Sequence, residues 1–349
     1  MEFDRTKLKF LPLSLRKSKS SLENLIIDPD LIEDFDDSEI FQKISSEIIE
    51  ARKKEASVIL TFGAHLIKNG LSLVLKKMIE KNYITHLATN GAGSIHDWEI
   101  AFHGKTEEDV QENLKEGKFG LWEETGKYLN LAIISGAYTE KGYGESVCQM
   151  IHEEVIKIPK KLPQKLSKIL KNYCLNPGEE IRIKHPFKDY SIQNHAFKNN
   201  INFTVHPGFG YDIIYSHPLN HGVSIGKTAE IDFLKFVDSV TKLENGVYIS
   251  IGSAIMSPMI FEKSLSMARN YRSSFSEKIE NFTIVVNDIQ ESNWNWNCDK
   301  EPPKDNPAYY LRFCKTFKRC GAKNLYYIQK DNREFLKSLY KNLENMSNS

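Results

Sequence analysis

A strand, a helix and a second strand follow one another between Val58 and Asp97, and this unit constrains the fold more than any other stretch. Val58 begins a short apolar run of the kind that forms a buried strand, and residues 84–88 form another. Two parallel strands joined by a right-handed helical crossover place their following loops side by side at one edge of a sheet. That edge is where open α/β sheets bind ligands. The apolar residues between the two strands recur at helical spacing: Leu66, Ile67, Leu71, Val74, Leu75, Met78 and Ile79.

Glycine follows several of the predicted strands. Gly63 ends the first strand, a Gly-rich stretch from Asn90 to Ser94 leaves the second, and Gly252 with Ser253 follows a later one. Exposed backbone N–H groups in such loops suit phosphate, so we expect a nucleotide-type pocket. The spacing G-x-G-x-x-G is absent, however, and a tight turn required by the fold alone is the alternative.

The rest of the chain alternates between strands and helices, a pattern that predicts a parallel sheet with helices on both faces. Residues 1–40 are expected to form an irregular arm, and residues 41–345 a single domain. Further strands are predicted at 202–205, 247–251, 282–287 and 325–328, and further helices at 41–54, 229–240 and 259–269.

Composition excludes several classes of protein. The chain has 349 residues with 47 basic and 46 acidic side chains, so no charge excess favours nucleic acid or an anionic membrane as partner. The five cysteines include no C-x-x-C pair, which argues against a zinc site or a disulfide framework. No apolar stretch approaches the roughly 18 residues of a spanning helix. We therefore expect a soluble, cytoplasmic protein without a bound metal.

Polar side chains beyond the Gly-rich stretch are the first candidates for chemistry. His96 and Asp97 are neighbours there, and such a pair can bind an amine or move a proton. The equally weighted alternative is a helix-capping Asp beside a surface His.

A second polar segment contains His206, Asp212, His217 and His221. Four imidazoles and a carboxylate suggest metal ligation, but no carboxylate-rich ligand set accompanies them. Structural or substrate contacts are the favoured interpretation.

Four features resemble the deoxyhypusine synthase family over residues 45–340, though with few identities. They are the Leu-Ile-x-x-Gly-Leu run from Leu66 to Leu71, the Gly loop after Thr89, Asp212 after a Gly-rich strand end, and the Gly252–Ala254 turn. The resemblance implies a Rossmann-like fold, bound NAD and a homotetramer with sites at subunit interfaces. The family dehydrogenates spermidine and transfers its aminobutyl group to a lysine of a translation factor, and a relative makes homospermidine.

The resemblance also implies roles for individual residues. It assigns the acidic catalytic pair to His96 and Asp97, and a contact with the cofactor ribose to Asp212. The full set of implied cofactor-binding residues is Gly63, Ala64, His65, Thr89, Asn90, Gly91, Ala92, Gly93, Asp212, Gly252 and Ser253.

The chain departs from the family at two places. Ile255-Met256-Ser257-Pro258 replaces a Lys-His-His run, and the segment from Asn306 to Phe313 has no lysine where the family forms its covalent imine. Arg312 cannot replace that lysine, because a guanidinium stays protonated. We therefore predict an NAD-dependent, transferase-like enzyme with altered chemistry, acting on a small amine or polyamine. Two alternatives are a non-catalytic NAD-binding or regulatory member of the same fold, and a hydrolase or lyase that uses the His206–His221 segment.

Overall fold

The computed structural model of the chain describes residues 3–298 and 300–348, and the backbone divides into two compact units. The first comprises Met1–Leu25 and Asn90–Asp232, and the second Ile26–Thr89 and Phe233–Ser349. Both units are discontinuous along the chain. The predicted arm over 1–40 and single domain over 41–345 do not share these boundaries and stay predictions.

The secondary structure alternates between strands and helices, as predicted. The strands are β1 Ser18–Ser21, β2 Val58–Phe62, β3 His86–Thr89, β4 Lys105–Glu108, β5 Val155–Lys157, β6 Glu180–Arg182, β7 Asn202–Val205, β8 Val247–Ile251, β9 Thr283–Asp288 and β10 Asn324–Gln329. The α-helices are α1 Leu22–Leu25, α2 Glu39–Lys53, α3 Ala64–Lys68, α4 Ser72–Glu80, α5 Gly91–His103, α6 Val110–Lys115, α7 Glu123–Ala137, α8 Tyr143–Glu153, α9 Gln164–Lys171, α10 Ile192–Lys198, α11 Gly222–Thr241, α12 Met256–Ser273, α13 Arg312–Arg319 and α14 Asn332–Asn348.

A parallel sheet organises the second unit. Five of its strands lie in the order β10-β9-β8-β2-β3, and their pairings are parallel. Ile59, Tyr248 and Ile284 form a cross-strand row that is fully buried, and so is the row formed by the next residue of each strand. Because successive side chains point to opposite faces, burial of both rows requires cover on both faces. The predicted α/β, Rossmann-like class with helices on both faces is confirmed.

Aromatic side chains fill the core on one face of this sheet. The ring of Tyr248 stacks on Phe261 with centroids 4.0 Å apart, and Phe317 lies against both rings. The buried Tyr248 hydroxyl shares a 2.8 Å hydrogen bond with the Ser257 hydroxyl, so its polar end is satisfied. The start of α12 is thereby tied to the sheet.

The helix predicted between the first two strands is broken in the structure. It forms two pieces, α3 and α4, separated at Gly70, which has a φ of +76°. A residue with a side chain is strained at such a φ, so glycine permits the break. The apolar spacing is preserved across it because both pieces bury the predicted face.

The first unit is built around α5, which is buried along most of its length. Helices α7, α8 and α10 pack against it, and β1 pairs with β4 in antiparallel fashion beside it. The N-terminal residues therefore include a strand and are not irregular throughout. The β5–β6 pair is also antiparallel.

A buried ion pair connects the N-terminal segment to α5. The Arg16 guanidinium donates to both oxygens of Glu99, at 2.6 and 2.9 Å, and both side chains are nearly inaccessible to solvent. Thr106 and Thr125 donate to the same carboxylate. Burial opposes the charge of Glu99, but the Arg16 charge and these hydrogen bonds keep the pKa of the carboxyl below its ordinary value.

Three negative findings concern the described residues. None of their helices combines the length and apolar character that crossing a bilayer requires. No three of their His, Cys, Asp and Glu side chains converge in a way that would hold a metal ion. Their five cysteines, at 148, 174, 298, 314 and 320, are free thiols.

The ion pair predicts a large asymmetry between neighbouring substitutions. Arg16→Met leaves Glu99 buried without a counter-charge and should lower the free energy of unfolding by about 3 kcal/mol. Lys17→Met removes only an exposed 3.8 Å ion pair with Glu112 and should change it by less than about 0.5 kcal/mol. Urea denaturation of both variants measures the difference. Equal changes in the free energy of unfolding for the two variants would show that the buried Arg16–Glu99 pair contributes no more to stability than an exposed ion pair.

Candidate functional site

The N-terminus of α5 is the part of the first unit where the predicted Gly-rich loop lies. Only Asn90 separates β3 from the helix, and the glycines at 91 and 93 belong to the first helical turn. The Asn90 Oδ1 accepts a hydrogen bond from the Gly93 N–H at 2.9 Å, the usual geometry of an N-cap. The expected loop is therefore a helix start, whose partial positive charge favours a nearby anion.

Asp212 packs directly on this helix start. A Cβ atom at Gly91 would overlap the Asp212 carboxylate, so the close approach requires glycine at that position. Among the described residues, the buried Oδ2 atom of Asp212 has no hydrogen-bond partner. A buried carboxylate oxygen without a partner is costly, so it requires a bound water, an ion, a ligand or a functional role.

Two tyrosines complete this group, which we call the Asp212 cluster: Gly91, Tyr143, Asp212 and Tyr215. Tyr143 begins α8 and is fully buried, and its hydroxyl has no hydrogen-bond partner among the described residues. The same holds for the buried Tyr215 hydroxyl, whose ring stacks on Phe209 with centroids 4.5 Å apart. Burial raises the pKa of both phenols, and the Asp212 charge adds to it.

The surroundings of Asp212 bring the pKa of its carboxyl close to neutral pH. Burial raises the pKa of Asp212 to about 6, and the nearby Tyr215 hydroxyl offsets part of the rise. The Tyr215 hydroxyl lies close enough to the Asp212 carboxyl to lower its pKa, but the two groups are not in hydrogen-bond geometry. Two protonated phenols and a carboxyl that titrates near neutral pH can together hold a hydroxyl or an ammonium group, and can exchange a proton with it.

His96 lies on α5 within the buried ionic network. Its Nδ1 shares a 2.6 Å hydrogen bond with the Thr106 hydroxyl, which in turn donates to Glu99. Because the Thr106 hydroxyl donates its proton to Glu99, it can only accept from His96, so the Nδ1 of His96 carries a hydrogen and donates.

Asp97 lies one position further along α5 and contacts a different element. Its carboxylate accepts hydrogen bonds from the backbone N–H groups of Ile192 and Gln193, where α10 begins, and from the Ser191 hydroxyl. Burial raises the pKa of Asp97, partly offset by these hydrogen bonds. Successive helical residues point about 100° apart, so His96 and Asp97 do not converge. Their catalytic role stays a prediction, and the helix-capping interpretation of Asp97 fits its contacts.

The second unit contains the other strand-end glycines. A Cβ at Gly63 would overlap the carbonyl oxygen of Gly252, so the loops after β2 and β8 touch through their backbones. Gly252 has a φ of +54° and lies against the Asn332 side chain. The close backbone contact and the positive φ explain why glycine occupies positions 63 and 252. The role of these glycines in cofactor binding stays a prediction.

The remaining residues predicted for cofactor binding occupy ordinary positions around those loops. Ala64 and His65 form the first turn of α3, where Ala64 is half-buried and His65 exposed. The Thr89 hydroxyl donates to the carbonyl of Phe62, and the Ser253 hydroxyl accepts from the N–H of Ser257. Ala92, the remaining residue, lies half-buried in the first turn of α5.

The histidines of the second polar segment have separate partners. His206 contacts the Thr204 hydroxyl at 3.0 Å, His217 faces Glu123 at 3.4 Å, and His221 contacts Ser224 at 2.8 Å. Burial lowers the pKa of His206 to about 3, so its ring is neutral. Each imidazole has a local contact, which matches the structural interpretation.

Sequence reasoning missed both tyrosines of the Asp212 cluster. Tyr215 follows Asp212 by three residues in a short 3-10 helix, so a local signal for it existed. Tyr143 comes from a distant part of the chain, and only the packing of α8 brings it to Asp212.

No family model matches this chain, and no curated protein matches it. Solved structures resemble it weakly. A conserved protein assigned to LOR/SDH from Methanococcus maripaludis S2 is 16% identical with a TM-score of 0.47, over 93% of this chain and 74% of that one. AgrE in ternary complex with ornithine and NAD⁺ is 14% identical with a TM-score of 0.45, over 88% of this chain and only 33% of AgrE. A protein assigned as deoxyhypusine synthase from Entamoeba histolytica is 12% identical with a TM-score of 0.40, over 88% of this chain and 89% of that one. Likeness at this level carries no argument about function.

The raised pKa of Asp212 predicts how stability depends on pH. A carboxyl whose folded pKa lies near 6, above its ordinary 3.8, favours the folded state at low pH and loses that contribution as pH rises through 6. Asp212→Asn should therefore be more stable than the unchanged protein by about 1 to 2 kcal/mol at about pH 7.5, with the difference vanishing near about pH 4. Urea denaturation across this range tests it. A difference independent of pH would exclude a raised pKa.

Proposed function

We propose that this chain is an NAD-dependent enzyme that oxidises a small amine or polyamine. The observation that carries the proposal is the Asp212 cluster. Its carboxylate lies against Gly91 at a helix start, and one carboxylate oxygen and two phenol hydroxyls have no hydrogen-bond partner among the described residues. The resemblance to deoxyhypusine synthases, in which Asp212 takes the position of a ribose contact, supports the same assignment.

The residues at the start of α5 suit a dinucleotide for two reasons. The helix dipole at the start of α5 favours negative charge, so a phosphate would bind at the first N–H groups, beside the space at Gly91 that the Asp212 carboxylate fills. A carboxylate beside such a helix start is also the usual acceptor for ribose hydroxyls. Asp212 and the Tyr143 hydroxyl would orient that sugar.

Bound NAD would accept hydride from the carbon next to the amine nitrogen. The protein must hold that amine and remove its proton, because only a neutral amine gives up hydride readily. Asp212, with its pKa near 6, is ionised at neutral pH and can take this proton, while the Tyr215 phenol stays protonated and can donate a hydrogen bond to the carboxylate. In this proposal His96 and Asp97 position α5 through their contacts with Thr106 and the start of α10.

The proposal leaves out a covalent imine. Lys315 lies two residues beyond the segment where the family places its nucleophile, and its ammonium lies 3.5 Å from Glu301 and 3.7 Å from the ring centre of Tyr309. An amine acts as a nucleophile only when neutral, and these neighbours stabilise the charged form. Transfer of an aminobutyl group by the family's route is therefore not proposed.

A second candidate function is a non-catalytic, NAD-binding or regulatory member of the same fold. It is favoured by the contacts of His96 and Asp97, each of which is used within the first unit. For both candidates we propose a cytoplasmic homotetramer, on the resemblance alone.

NAD binding is the first test. Isothermal titration calorimetry of nucleotide-free protein should give saturable binding, and Asp212→Asn should weaken it about 10-fold, since one hydrogen bond to a charged group is lost. Asp238→Asn, which removes an exposed carboxylate paired only with Lys242, should leave the affinity unchanged. No binding by the unchanged protein would overturn both candidates.

Turnover separates the two candidates. Putrescine and spermidine are mixed with the protein and NAD, and NADH is followed by absorbance. NADH formation that is lost in Asp212→Asn supports the enzyme. NAD binding without NADH from either amine supports the non-catalytic member.

A further inference from the structure

A cavity of about 780 Å³ lies in the first unit. It shares no lining residue with the Asp212 cluster, although Arg5 in its wall donates to the backbone carbonyl of Tyr215, and His221 is the lining residue that the sequence analysis also singled out. We propose that it binds a small organic anion, a carboxylate or phosphate attached to an apolar body. Its walls are the N-terminal segment, α9 and the start of α11. The residues that matter to the argument are Arg5, Lys165, Tyr173, His221 and Val223.

Arg5 is a positioned cation without an acidic partner. Its NH1 donates to the Tyr215 carbonyl at 3.1 Å and to the Asn220 Oδ1 at 3.2 Å, and Asn220 is itself held by Asn130 at 3.0 Å. Among the described residues, no carboxylate forms an ion pair with Arg5. The remaining N–H groups of its planar fork can receive a carboxylate or phosphate in two parallel hydrogen bonds.

Lys165 adds a second positive charge to this wall, and His221, whose lowered pKa keeps its ring neutral, adds a hydrogen-bonding group. Lys165 forms no ion pair with any described residue. Burial lowers the pKa of His221, and the charge of Lys165 lowers it further. The His221 Nδ1 contacts Ser224, which leaves Nε2 for a ligand. Asp4 is the one carboxylate among the lining residues, and it accepts from the Thr6 N–H and hydroxyl at 3.0 and 2.7 Å. Its oxygens are thereby drawn to its own turn, and the cationic groups outnumber it.

The rest of the cavity lining is mainly apolar, with Thr6 and Asn172 as its polar members. Phe3 and Val223 are 77% and 70% exposed, and Ile169 and Tyr173 line the α9 side. Exposed apolar side chains around a cavity of several hundred Å³ are typical of a small-molecule site, where a few polar groups fix the orientation. The ligand therefore carries an apolar or aromatic body in addition to its charge.

Phenyl phosphate and benzoate are suitable probes, since they join the same ring to two different anions. Titration of the full chain by calorimetry should give saturable binding of at least one, with a Kd on the order of 0.1 to 1 mM, and none of benzyl alcohol. The preferred anion identifies the ligand as a phosphate or a carboxylate. Arg5→Gln and Lys165→Gln should each weaken the binding about 10-fold, because each removes a charged hydrogen-bond donor.

Matched controls come from the same two elements. Lys7→Gln and Lys168→Gln remove exposed charges from the N-terminal segment and from α9 without touching the cavity, so their affinities should stay within about 2-fold. Lys165 is exposed, so its variant keeps the fold even if Arg5→Gln does not. The proposal would be overturned if the protein bound neither phenyl phosphate nor benzoate. It would also be overturned if Lys165→Gln and Lys168→Gln weakened the affinity equally.

Discussion

Burial of α5 is the constraint on which the first unit depends. Polar groups on a buried helix must find partners inside the protein, because an unpaired buried polar group costs several kcal/mol at worst. Glu99 therefore pairs with Arg16, Asp97 accepts from the start of α10, and His96 contacts Thr106. These three side chains fix the helix in place. Among the described residues, two atoms at this helix have no hydrogen-bond partner, Nε1 of Trp98 on the helix and Oδ2 of Asp212 at its start.

Most of the sheet was predictable from the sequence, and the reason is physical. Strands buried on both faces are mostly apolar, so β2, β8 and the middle of β9 appear as short, largely apolar runs that need no tertiary information. The ends of elements were harder. Asn90 reads equally as a loop residue or an N-cap, and only the packing of Gly91 against Asp212 decides for the helix.

The candidate site was predictable only in part. Asp212 stands out because it follows a Gly-rich strand end, and Tyr215 lies one short turn beyond it. Tyr143 has no local signal, since a buried tyrosine at a helix start looks like any core residue. His96 and Asp97 are adjacent on α5, so their side chains point about 100° apart and contact different elements, which sequence adjacency alone did not reveal.

The interleaving of the two units has a consequence for synthesis on the ribosome. Strand β2 hydrogen-bonds β8, yet the first unit's long segment Asn90–Asp232 is translated between them. At ordinary elongation rates β2 waits roughly 10 to 40 s for that partner. During this interval the edge of β2 that later pairs with β8 is open to self-association. Nascent chains of this protein should therefore depend on chaperones until the last strands emerge.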